Sequence, residues 1–188
     1  MRTDDDVMNA PNQPKETSTM TVAVGPQLEA RQESEPRGDT AGVIAPPPLI
    51  YLGALGLGFG LDAAIGTGSL SFTVAAPIGA ASIIAGTGLL GSFLSAFRRA
   101  QTAVDPYTPS EAIVTDGPYR LTRNPAYLGM ALTYAGIAIA ARAPWALVPL
   151  PIAITAIDRG VIAREERYLE RKFGKPYVDY KRRVRRWV

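Results

Sequence analysis

The chain contains no cysteine and no histidine among its 188 residues. Without cysteine there are no disulfides and no thiolate metal ligands. Without histidine, imidazole general-base catalysis and the usual zinc sites are excluded, and no metal centre is expected. Charge is also scarce, at 20% of residues against 47% hydrophobic, and it is unevenly spread. Met1 to about Thr40 holds no long apolar run and lacks aromatics, whereas several such runs lie between Val43 and Ile162. A segment like the first cannot bury enough apolar area to offset its ordering entropy. The sequence therefore divides into a disordered polar tail, 1–42, and a membrane domain, 43–188. Asp4, Asp5 and Asp6 stand where a signal peptide would be basic, so no signal peptide is expected.

Four apolar stretches each approach the ~20 residues a helix needs to cross ~30 Å of hydrocarbon. They run from about Ile44 to Leu61, Val74 to Phe97, Pro125 to Ala141, and Pro144 to Ile157. The expected fold is an all-α integral membrane bundle of about four spans, with a cytoplasmic C-terminal helical segment. Only a few residues join the last two spans, which predicts a tight hairpin with Trp145 as an interfacial anchor near its tip. Glycine is frequent in the first two spans, and Ser82 and Gly86 have small-xxx-small spacing. Two readings stand: close helix approach, or the ordinary abundance of glycine in membrane helices.

Charge sets the orientation. Between Arg159 and Val188 lie eleven Lys or Arg against four Asp or Glu, and the loop after the second span adds Arg98, Arg99, Arg120 and Arg123. The opposite side offers only Arg142. Counting positive charges places both termini in the cytoplasm, as expected in a cell's inner membrane. Tethering to a membrane disfavours nucleic acid as the partner of the basic terminus.

Two segments carry chemistry. In the first, Asp116 to Gly129, Gly117-Pro118 signals a turn and Asn124-Pro125 a helix start, with asparagine at the N-cap. Exposed N–H groups, a positive dipole end and the flanking Arg120 and Arg123 make an anion site there. The same residues also read as a capped membrane helix with cytoplasmic arginines. In the second, Asp158 to Tyr177, a helix should leave the membrane and end near Gly174. Glu165 and Glu166 suit either ribose hydroxyls and an ammonium group, or salt bridges on a solvated face. Beyond Pro176, Tyr177, Tyr180, Val184 and Trp187 recur at helical spacing among Lys and Arg, which predicts an amphipathic helix on anionic lipid.

Taken together, Gly117-Pro118-Tyr119-Arg120, Arg123-Asn124-Pro125 and Tyr127-Leu128-Gly129, followed by Glu165-Glu166, Leu169, Phe173-Gly174, Tyr177, Tyr180, Val184 and Trp187, resemble the isoprenylcysteine carboxyl methyltransferase family. Phospholipid N-methyltransferases share the general pattern. The resemblance spans roughly Arg98 to Trp187 and includes the hairpin between the motifs. It implies S-adenosylmethionine as cofactor and a lipophilic small molecule or lipid as substrate. Tyr119, Arg123, Asn124, Pro125, Tyr127 and Gly129 would form one wall of the cofactor site. Glu165 and Glu166 would hold the cofactor's polar groups, with Arg159 on the substrate side. Many eukaryotic members of that family carry histidine where this chain has Asn124.

A carboxylate acceptor is already a nucleophile at pH 7 and needs no general base, which suits a chain without histidine. Arg159 and Arg120 would then orient it. An amine acceptor would need Glu165 or Glu166 as base. Carboxylate O-methylation is thus the leading expectation. Phospholipid N-methylation, a nicotinamide-dependent lipid reductase and a non-catalytic membrane protein are the alternatives.

Overall fold

The computed structural model describes residues 42–66, 70–100 and 113–188, so the expected disordered tail falls outside the described residues except for Gly42. Among the described residues the regular elements are all helical. Helix α1 (Pro47–Ile65) opens on prolines, whose missing N–H groups are tolerated in a first turn, and closes at Gly66. Gly66 takes a left-handed φ of 62° and donates its N–H to the Asp62 carbonyl at 2.9 Å. Helix α2 (Phe72–Ala100) is followed after the second gap by a 3₁₀ turn at Gly117–Arg120 and helix α3 (Pro125–Ala140). A second 3₁₀ turn, Pro144–Leu147, forms the hairpin tip. Helix α4 (Leu150–Ile157), a π-turn (Asp158–Ile162) and helix α5 (Ala163–Phe173) then succeed one another without a break, and α6 (Lys175–Arg183) follows Gly174.

Among the described residues three rods are long and apolar enough to cross a membrane: α1, α2 and the continuous Pro144–Phe173. Helix α3 is apolar but has 16 residues, about 24 Å at 1.5 Å per residue, and packs within the bundle. The 30-residue rod is about 45 Å long, roughly 15 Å more than the hydrocarbon thickness. Its charged end is α5.

The expected all-helical bundle is therefore present, but with three helices of spanning length among the described residues where about four were expected, and with several helix ends shifted. The first span runs on past Asp62, whose Oδ1 accepts the Trp145 backbone N–H at 3.2 Å and so gains a partner inside the fold. The last span does not stop at Asp158-Arg159. A π-turn, which admits one extra residue per turn, carries the helix through.

Glycine allows α2 and α3 to pack backbone to backbone in opposite directions. A Cβ on Gly86 would lie 2.7 Å from the Gly129 carbonyl oxygen, and one on Gly136 would lie 2.8 Å from that of Gly79. Ser82 Oγ donates to the Leu132 carbonyl at 2.8 Å beside this seam. By contrast, Gly53, Gly56, Gly60, Gly88 and Gly91 meet nothing and have no such role. Close approach explains some glycines and abundance the rest. Near the hairpin, buried Tyr134 donates its hydroxyl to the carbonyls of Ala54 and Ala146, at 3.0 and 2.8 Å, tying α1 to α3 and the hairpin tip.

Candidate functional site

The charged end of the bundle is built around one carboxylate. Glu166, 5% exposed, faces three cations. Arg186 grips it with two bonds, Nε to Oε1 at 3.1 Å and Nη2 to Oε2 at 2.6 Å. Arg123 Nη2 lies 3.0 Å from Oε1 and Lys181 Nζ 3.4 Å from Oε2. Burial alone would raise the Glu166 carboxyl, but the Arg186 hydrogen bonds and the charges of Arg123, Arg186 and Lys181 outweigh it and hold it below the ordinary range.

Local chain geometry explains why these residues converge. The C-terminal segment, Val184–Val188, leaves the helical path at Val184 (φ −119°, ψ 134°) and folds back over the start of α3. The Arg123 N–H donates to the Arg185 carbonyl at 2.9 Å. The Arg186 carbonyl accepts from Thr122 Oγ1 at 3.0 Å and from Asn124 Nδ2 at 2.8 Å. Asp158, in the π-turn, accepts from Arg186 Nη1 at 3.2 and 3.1 Å and from Trp187 Nε1 at 3.1 Å. The terminus is thus a strap, not the amphipathic interfacial helix expected from the Tyr177, Tyr180, Val184, Trp187 spacing. Regular helix ends at Arg183, Tyr177 and Tyr180 are buried, and Trp187 packs on the core, because backbone partners at the start of α3 compete with the helix.

Asn124 opens α3 as expected, and its carbonyl accepts the Leu128 N–H at 3.0 Å. Its side chain does not cap the helix, because its amide is committed to the strap. Pro125 is fully buried at the first helical position.

Glu165 has a different environment. Its Oε1 accepts the Tyr127 hydroxyl at 2.7 Å, and among the described residues no cation pairs with it. Burial pushes this carboxyl above its ordinary range, Tyr127 opposes the rise, and the negative charge of Glu166 adds to it. Tyr119 sits beside Phe93 and Phe97, with ring centres 6.4 and 6.0 Å away, and its carbonyl accepts the Tyr180 hydroxyl at 2.8 Å. Arg123 Nε is buried without a hydrogen-bond partner.

Of the residues expected at the site, Tyr119, Arg123, Asn124, Pro125, Tyr127, Glu165 and Glu166 gather at this end. Gly129 instead faces α2, where Gly86 and Leu90 close the space around it. Arg120 is exposed and pairs with Asp116 at 3.1 Å. Arg159 is exposed in the π-turn, outside the cluster. The sequence reading missed Asp158, Lys181, Arg186 and Trp187 as members of one network. The adjacent carboxylate pair Glu165-Glu166, followed by the basic stretch Lys181 to Arg186, was the available signal.

Fold and site together define a helical membrane protein whose ionisable groups are drawn from distant segments to one end of the bundle. The chain belongs to the phospholipid methyltransferase (PEMT) family, which it matches over residues 74–176. It is 31% identical over 72 residues to protein-S-isoprenylcysteine O-methyltransferase B of Arabidopsis thaliana, covering 38% of this chain and 36% of that one. It is 57% identical over 37 residues to an uncharacterized protein of Haemophilus influenzae, covering 20% of this chain and 59% of that one. The matched region thus spans less than two thirds of either relative. No solved structure matches the chain.

Proposed function

We propose that the protein transfers a methyl group from S-adenosylmethionine to a lipophilic acceptor, with carboxylate O-methylation as the leading reaction, at the cytoplasmic face of an inner membrane. One observation carries this reading. Arg123-Asn124 and Glu165-Glu166, about forty residues apart, meet at one polar end of an apolar bundle. The donor set suits the cofactor. Glu165 offers an acceptor to an ammonium group or ribose hydroxyls, buried Arg123 Nε is a donor still seeking an acceptor, and Tyr119 with its aromatic neighbours offers a stacking face. When bound, S-adenosylmethionine supplies an electrophilic methyl group on a sulfonium.

The work of the protein residues is positioning and exclusion of water. Glu166 and its three cations hold the start of α3 against α5, which fixes the distance between Tyr127 and Glu165. Arg120 is the acceptor-side cation. Its exposed pair with Asp116 is worth only about 0–1 kcal/mol and exchanges readily for an acceptor carboxylate. No general base is required for an ionised carboxylate. Phospholipid N-methylation is the second reading, favoured by the raised Glu165 carboxyl, which suits a group that must take a proton from an amine.

The test uses membranes containing the protein and cofactor labelled in its methyl group. Base-labile label in extracted lipid is the expected result. Base-stable label in ethanolamine-derived headgroups would transfer the proposal to the second reading, and no label in any lipid would overturn both.

A further inference from the structure

An exposed face of α4 bears a second feature. An open groove of about 610 Å³ runs between Ile44 on one side and Pro151, Ile152, Thr155 and Ala156 on the other, with Arg159 at one end. Its walls are almost wholly apolar, and Ile152 is 70% exposed. Gly160 lets the short segment before α1 lie against the rod, since a Cβ there would meet Ile44 Cγ1 at 2.9 Å. Arg164 Nη1 holds the same segment by donating to the Gly42 carbonyl at 2.7 Å.

We infer that this groove binds an anionic phospholipid of the surrounding membrane, one acyl chain lying along α4 and the phosphate on Arg159. Three observations favour that occupant. First, the groove lies on a membrane-crossing rod, so hydrocarbon is the medium available to fill it. Second, Arg159 is about 21 Å along the rod from Trp145, near the boundary where a guanidinium reaches headgroup phosphates. Third, among the described residues Arg159 has no carboxylate partner, unlike Arg123 and Arg186, and no acidic side chain lines the groove. Arg159 carries a charge with bidentate geometry for phosphate that no described residue uses. The Ile44 wall couples the lipid to the segment that Arg164 pins. Arg159 thereby takes a task separate from the acceptor-orienting one expected from the sequence.

The test is native mass spectrometry of the full chain released from micelles containing phosphatidylglycerol or phosphatidylcholine with identical acyl chains. Wild type should retain one phosphatidylglycerol at least fivefold more than phosphatidylcholine. Arg159→Gln should abolish that preference and Arg159→Lys restore part of it. Ile152→Trp, which fills the groove, should lower retention of both lipids while the melting temperature stays near that of wild type. Equal retention of the two lipids by wild type, or an undiminished preference in Arg159→Gln, would overturn the proposal. So would transfer of labelled methyl onto the retained lipid, since the groove would then be the acceptor site.

Discussion

The glycine seam between α2 and α3 and the carboxylate cluster at the end of α5 join helices by opposite means. At the seam nothing is charged. Gly79, Gly86, Gly129 and Gly136 remove side chains so that backbones touch, and dispersion and hydrogen bonds do the holding. At the cluster, one buried carboxylate collects Arg123 from the start of α3 and Lys181 and Arg186 from the C-terminal stretch. In lipid, apolar side chains gain nothing from leaving their surroundings, so shape decides. Beyond the hydrocarbon, charge can specify which segments meet. The bundle is thus packed by absence of atoms and the site by pairing of charges.

Removing the charge at the hub should cost most. Glu166→Gln leaves buried Arg123 without its carboxylate partner and strips Arg186 and Lys181 of one of two, Asp158 and Glu170 remaining. It should lower stability by about 3 kcal/mol, the lower end for breaking a buried pair because Arg186 and Lys181 stay partly solvated. Thermal unfolding in micelles measures this, and a loss below about 1 kcal/mol would reduce the cluster to surface decoration. Overpacking the seam comes next. Gly86→Val drives a side chain into the Gly129 carbonyl and should cost about 1–3 kcal/mol by the same assay.

Acid sharpens the contrast, because only the cluster titrates. The native Glu166 carboxyl lies below its ordinary value of about 4.3. Its contribution is therefore complete at neutral pH and is lost as pH falls through the depressed native value. Below about pH 4 the strap should loosen and Trp187 fluorescence should change, while helix content of the seam persists. The smallest effect belongs to Asp116→Asn. It removes an exposed pair from Arg120 and should change stability by less than about 0.5 kcal/mol.

The helical bundle was largely legible in the sequence, because long apolar runs broken by charge and proline leave few alternatives in a membrane. Helix ends were less so. Asp62 looked like a stop but found the Trp145 N–H, and Asp158-Arg159 looked like another until a π-turn carried the helix past it. Seven expected site residues came together because the motif around Asn124-Pro125 and the Glu165-Glu166 pair flank one hairpin. The strap could not be read. Tyr177, Tyr180, Val184 and Trp187 keep helical spacing, and only the competing bonds from Thr122, Arg123 and Asn124 end the helix at Arg183. Those bonds join residues some sixty positions apart, beyond any local pattern.

Calorimetric titration of the micelle-purified protein with S-adenosylmethionine tests the central claim most directly, comparing wild type with Glu165→Gln. Glu165 lies outside the ion-paired hub, so the variant should melt within a few degrees of wild type while binding the cofactor at least tenfold more weakly. Equal binding by the two proteins would remove Glu165 from the cofactor site, and no binding by well-folded wild type would contradict the methyl-donor reading itself.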